Sequence, residues 1–186
     1  MDNNYRIKIL TMTNILLISE DFIKTNSGLN ENVWGSYLTP AIRDAQDMGL
    51  QSIIGTSLYK SIMEEIDNNT LTEDNKYLLD EYVQIYLMYQ TISDLVPIIG
   101  VKLTNLGVVV SNDEHLTNLS QGDRELVQNF YIYKADFYAR RLQEFLLNNK
   151  EAYPALDECS CEGMKANLYS SETTGLWLGG YRGKKL

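Results

Sequence analysis

Apolar residues recur every three or four positions along most of this chain, which is the spacing of an amphipathic helix. The longest such pattern follows Thr72, a residue suited to cap a helix N-terminus, and it ends at Pro97. Because its apolar positions cover most of the helix circumference, we predict that this helix is central to the fold. Its apolar line comprises Leu78, Tyr82, Ile85, Tyr89, Ile92 and Val96, widened by Leu79, Val83, Tyr86 and Leu87.

A second long helix is predicted between Ser120 and Asn148. Ser120 and Asp123 have the spacing of a capping box, and Pro154 prevents the helix from resuming soon after its end. One apolar line along this helix is predicted to face the core. That line comprises Leu126, Phe130, Tyr133, Phe137, Arg141 and Phe145, with Val127, Tyr131, Tyr138 and Leu142 beside it.

Shorter helices are predicted before the central one. Ser19 is placed to cap the first, ahead of two acidic residues that the helix dipole favours. In the next helix Pro40 is predicted to cause a kink or a restart, with Thr39 as the new cap. Gly49 and Gly55 are predicted to supply breaks or left-handed caps near the end of this helix, and Thr56 to begin another helix.

The pattern changes twice more. Residues 101–110 are rich in β-branched residues around a glycine, which predicts a small β-hairpin or extended arm. Periodicity then fails from about residue 156 onward. The sequence therefore predicts a mainly α fold: residues 1–155 form a helical bundle with two long helices and the hairpin, and residues 156–186 form an extended C-terminal docking arm.

The docking arm has an unusual composition. It is too rich in glycine, serine and threonine to build its own core, yet too apolar for a solvated linker. We therefore predict that it binds a partner protein. A single-strand nucleic acid site would use similar aromatic and cationic residues, but a protein neighbour also explains the leucines. The predicted contact residues are Leu168, Tyr169, Leu176, Trp177, Leu178, Tyr181, Arg182, Lys184 and Lys185.

Charge separates the two parts of the chain. Its 186 residues suit one domain, and the net charge is −9. Residues 1–162 carry 12 Lys and Arg against 24 Asp and Glu, whereas residues 163–186 carry four cations against Glu172 alone. Because the acidic part repels phosphate, sequence-specific DNA binding is not expected. The cationic arm favours an acidic partner.

No enzyme motif is present, and we predict no catalytic residue, metal or cofactor. His115 is the only histidine, and Cys159 and Cys161 are too close together for an ordinary disulfide, so reduced thiols are expected. One alternative uses carboxylates to bind magnesium, as all-helical nucleotide pyrophosphatases do. Its candidate ligands would be Glu64, Glu65 and Asp67, with Asp44 and Asp47 upstream.

The N-terminus only weakly resembles a signal peptide. Arg6 and Lys8 precede an apolar stretch, but polar residues interrupt it and no small-residue cleavage site follows. We interpret this stretch as structural and expect synthesis in the cytoplasm, with no membrane partner.

Several segments resemble head-tail connector proteins of tailed phages, especially ring proteins of crAss-like and related phages of Bacteroidetes. These segments are ISEDFI, LTPAIRDAQ, IIGTSLY and KADFYARRLQEFLLNN, followed by Tyr153-Pro154. The likeness covers about residues 15–155. The sequence begins about ten residues before the usual start of these proteins, so both Met1 and Met12 stay open as the natural first residue.

The resemblance implies a structural virion protein at the head-tail junction. Such proteins are small helical bundles that assemble as a homo-oligomeric ring, commonly dodecameric. The ring lies beneath the portal protein, extends the DNA channel, and carries the tail or further ring proteins. Genomic DNA would pass through it without sequence-specific binding.

Three functions are therefore considered. The first is the head-tail connector. The second is a cytoplasmic, non-enzymatic helical binding or regulatory protein that uses its arm on an unrelated acidic partner. The third is the magnesium-dependent nucleotide pyrophosphatase.

Overall fold

The computed structural model describes residues 15–30, 32–33, 35–99, 120–157 and 163–168, and the backbone of residues 101–104 and 107–110. The architecture is mainly helical, as predicted. The helices are α1 (Glu20–Asn26), α2 (Gly35–Asp44), α3 (Gln51–Asp67), α4 (Glu73–Leu78), α5 (Gln84–Leu95) and α6 (Gln121–Asn148). π-Helical turns at Ala45–Leu50 and Leu79–Val83 join α2 to α3 and α4 to α5, and 3-10 turns lie at Lys150–Ala152 and Pro154–Leu156.

Three predicted helix starts are confirmed by their capping hydrogen bonds. The side chains of Ser19, Thr72 and Ser120 accept from the backbone N–H three residues later and begin α1, α4 and α6. Each bond satisfies an N–H group that has no partner within the helix.

The predicted central helix is at the centre of the bundle. Its last part, α5, packs against both α2 and α6. Leu87, Ile92 and Leu95 are fully or almost fully buried there. The helix is not regular throughout, because the π-helical turn at Leu79–Val83 separates α4 from α5. Apolar residues on most of the circumference allow both parts to stay buried despite the extra residue in that turn.

The predicted restart at Pro40 is wrong. Helix α2 runs through Pro40, and the Thr39 hydroxyl donates a hydrogen bond to Glu20 Oε1 (2.7 Å) rather than capping a new helix. Proline removes one backbone hydrogen bond. Burial of Leu38, Ala41 and Ile42 around it offsets that loss.

Strands β1 (Val101–Thr104) and β2 (Gly107–Val110) pair antiparallel. Val101 lies opposite Val110, and Thr104 lies opposite Gly107. Within the part of the chain that the structure describes, no helix has the length and apolar character needed to span a membrane.

Glu65 joins the end of α3 to the start of α4. Its carboxylate accepts hydrogen bonds from the Thr72 backbone N–H (3.0 Å) and from Asn75 Nδ2 (2.8 Å). Partial burial by itself would raise the pKa of Glu65. The hydrogen bonds to its charged form outweigh this effect and lower the pKa.

The lowered pKa of Glu65 predicts a pH-dependent contribution to stability. The contribution is present above the unfolded value of about 4.3 and is lost as pH falls through the lower folded value. At pH 7 we expect Glu65→Gln to reduce the free energy of unfolding by at most about 1 kcal/mol, because the site is largely solvated. Urea unfolding at pH 7 and in acid measures this. A Glu65→Gln deficit that stays unchanged in strong acid, or a matching one in exposed Glu64→Gln, would contradict it.

Candidate protein–protein interface

Helix α6 has an inner face that packs on the bundle. Ala135, Leu142 and Leu146 on this face are buried. Aromatic side chains beside them stack on α5 and the turn before it. The ring centroids of Tyr89 and Tyr138 lie 5.2 Å apart. The Tyr82 and Phe145 rings also stack, with centroids 4.2 Å apart.

The opposite side of α6 is also apolar, and it is exposed. We call Leu126, Phe130, Tyr133 and Phe137 the outer face of α6; their exposed fractions are 70%, 55%, 69% and 52%. Spacings of four, three and four residues place them on one line. At about 100° per residue, that line is opposite Ala135.

The structure corrects the sequence prediction of which side of this helix faces the core. The sequence places Leu126, Phe130, Tyr133 and Phe137 in the core, but the opposite side of the helix, with Ala135, Leu142 and Leu146, packs on the bundle instead. Periodicity identifies residues that share a line, but it does not decide which of two apolar lines packs inward. A helix that is apolar on opposite sides is ordinarily covered on both.

Two cations flank the outer face on one side. Lys134 Nζ lies 4.4 Å from the Phe130 ring centroid and 5.0 Å from that of Tyr89. The Arg141 guanidinium lies 4.9 Å from the Tyr82 ring centroid. These cation–π contacts help to hold the aromatic side chains in place.

Because α6 carries four acidic and four basic residues, it is electrically neutral on a strongly acidic chain.

The described part of the predicted docking arm packs on its own chain. Gly55 adopts φ 79° and ψ 160°, which interrupts helical geometry within α3, as predicted. The Thr56 N–H beyond this break donates to the Met164 carbonyl (2.9 Å), and the Asn167 N–H donates to the Ile53 carbonyl (2.9 Å). Residues 163–168 therefore supply hydrogen-bond partners at the break in α3.

Leu168 is buried within the core cluster of its own chain. Its prediction as a partner contact is therefore wrong. The Asn167 carbonyl beside it accepts a hydrogen bond from Gln143 Nε2 of α6 (2.8 Å). Residues 163–168 thus belong with the helical body, and the predicted boundary at residue 156 is too early. Non-periodic sequence carried no signal for this packing.

The other predicted contact residues lie outside the described residues. They are Tyr169, Leu176, Trp177, Leu178, Tyr181, Arg182, Lys184 and Lys185, and the same holds for His115, Cys159 and Cys161. Residue 169 follows Leu168, which is anchored in the core close to Gln143 of α6.

Two of the acidic residues considered for magnesium have structural contacts. Glu65 joins α3 to α4, and Asp47 accepts a hydrogen bond from the Tyr59 hydroxyl (2.8 Å). Over the described ranges, no group of three or more His, Cys, Asp or Glu side chains is placed to hold a metal ion.

Asp47 and Tyr59 line a cavity of about 390 Å³. Ile15, Arg43 and Lys60 also contribute to its lining. Burial raises the pKa of Tyr59 far above its usual value. The phenol therefore stays protonated at neutral pH and donates to Asp47. This arrangement suits a structural hydrogen bond rather than a general base.

Comparison with protein families identifies a match. The model of a family of unknown function (DUF6712) matches residues 50–163, which run from the end of the first π-helical turn through α6 to the start of the segment packed on α3. No curated protein and no solved structure matches the chain.

Proposed function

We propose that this chain, which belongs to the DUF6712 family of unknown function, is a structural virion protein. In this proposal, copies assemble into a ring beneath the portal protein of a tailed phage. The ring extends the DNA channel and attaches the tail or further ring proteins. The observation that carries the proposal is the outer face of α6, an apolar line opposite the packed face of the same helix.

The outer face favours assembly over action as a lone molecule. Four large apolar side chains, each more than half exposed, form one line on the longest helix. Contiguous exposed apolar surface of this kind marks protein contact sites. The choice of a phage ring among possible assemblies rests on the sequence resemblance to head-tail connectors.

The charge distribution suits a DNA conduit. The excess of Asp and Glu over residues 1–162 would repel the phosphate backbone, whereas clustered cations would hold it and slow its passage. Neutral α6 is, in contrast, a surface on which acidic copies can meet with little electrostatic repulsion.

Light scattering tests the proposal on the full-length protein, alone and with purified portal protein. We expect wild type to form a closed complex many times the 21.3 kDa mass of one chain. Phe130→Glu places a charge on the outer face and should keep the protein monomeric with unchanged circular dichroism. Met48→Glu is the matched control, because Met48 is also a large apolar side chain that is more than half exposed, on a different element.

Two results would contradict the proposal: a wild-type protein that stays monomeric with portal present, or Phe130→Glu assembling as well as wild type. A monomer that binds an acidic non-virion protein would support the regulatory function instead. Magnesium-dependent nucleotide turnover that Glu64→Gln abolishes would support the hydrolase.

A further inference from the structure

We infer that the outer face of α6 receives residues 169–186 of a second copy. This inference rests on the proposed function, because a closed ring needs two different, complementary surfaces on every copy. The outer face offers one such surface. The segment after Leu168 offers the other, since Leu176, Trp177, Leu178 and Tyr181 are too apolar for solvent.

The segment follows Leu168, the last described residue, which is buried in its own chain. The hydrogen bond from Gln143 to the Asn167 carbonyl (2.8 Å) and the burial of Leu168 hold the last described residues against the helical body. The outer face extends from Leu126 to Phe137, roughly 17 Å along the helix axis. Residues 169–176 can extend at most about 26–29 Å. The residues before Trp177 can therefore extend further than the outer face is long.

The chemistry of the two surfaces is complementary. Leucine and tryptophan side chains from the segment would cover exposed Leu126 and aromatic rings, and aromatic anchors of this type often dominate interface energetics. Arg182, Lys184 and Lys185 follow the apolar residues, and Asp123 and Glu125 flank Leu126 in the first turns of α6. Arg124 lies between these two acidic residues, so together with the half positive charge of the helix dipole the first turns keep a net charge of only about −0.5.

The segment would also reduce the electrostatic repulsion between acidic copies. Residues 169–186 carry three cations against Glu172 alone, so their docking brings positive charge onto an acidic neighbour. Pairing two outer faces directly would bring no such charge. We therefore assign the C-terminal segment, rather than a second α6, as the occupant of the outer face.

Mixing two full-length variants tests this assignment. Phe130→Glu damages the receiving face and keeps the segment, whereas Leu176→Asp combined with Trp177→Asp damages the segment and keeps the face. We expect each variant alone to associate at least a hundredfold more weakly than wild type. Their equimolar mixture should form a species of twice the monomer mass and nothing larger, because only one intact pair of surfaces remains. Analytical ultracentrifugation measures these masses at concentrations where wild type assembles.

Other outcomes separate this inference from the proposed function. If wild type forms a ring but the mixture stays monomeric, the inference fails and the proposed function stands. Full assembly of the segment variant alone would mean that another surface covers α6, and it also overturns the inference. If the segment covers the outer face of its own chain, the mixture again stays monomeric. A wild type that never assembles contradicts both proposals.

Discussion

Replacing Gly55 with alanine is expected to destabilise the protein by about 2–5 kcal/mol. Gly55 adopts φ 79° and ψ 160°, a conformation that residues with a Cβ rarely adopt and that costs about 1–3 kcal/mol when imposed. A Cβ atom at Gly55 would also lie 2.7 Å from the Ala166 backbone nitrogen. Because Ala166 belongs to the segment packed on α3, relief of this overlap must move backbone.

The displaced segment adds to the loss. The hydrogen bonds from Thr56 to Met164 and from Asn167 to Ile53 would weaken, and each contributes about 1 kcal/mol. We expect the melting temperature to fall by roughly 5–15 °C for a chain of this length. The Thr56 and Asn167 amides should also exchange faster with solvent.

Thermal unfolding followed by circular dichroism measures the effect. Gly28→Ala is the control, because Gly28 is exposed and a Cβ there would meet no atom within 4 Å. Equal melting temperatures for Gly55→Ala and wild type would refute the packing of residues 163–168 on α3. A large fall in the melting temperature of Gly28→Ala would show that the effect of Gly55→Ala is not specific to the position of Gly55.

Local chemistry explains which features were predictable from the sequence. The caps at Ser19, Thr72 and Ser120, and the break at Gly55, depend on one residue and its nearest neighbours. The restart at Pro40 does not occur, because burial around Pro40 keeps α2 continuous despite one lost hydrogen bond. The sequence could show that a break exists but not which distant segment fills it.

The candidate interface was harder to predict, because distant segments decide which side of α6 is buried. Leu126 and Leu142 are identical residues in one helix, yet one is exposed and the other is buried. Their environments depend on where α5 and the aromatic pairs Tyr82–Phe145 and Tyr89–Tyr138 lie. Such long-range contacts leave no periodic signal that separates an inward line from an outward one.

Truncation of these two leucines should therefore have very different effects on stability. Leu142 is fully buried, so Leu142→Ala removes apolar contacts and leaves a cavity; we expect a loss of about 2–5 kcal/mol. Leu126→Ala removes the same atoms from an exposed position and should change stability by about 0.5 kcal/mol or less. Urea unfolding of both variants below the concentration of assembly measures the difference.

Assembly should show the reverse order for the same pair. Leu126→Ala is expected to weaken association because it removes part of the outer face, whereas the folded fraction of Leu142→Ala should still associate with its outer face intact. Equal stability of the two variants would mean that α6 is rotated relative to the structure. Unchanged association of Leu126→Ala, with its fold intact, would remove Leu126 from the interface. Together the two measurements assign one line of α6 to folding and the opposite line to assembly.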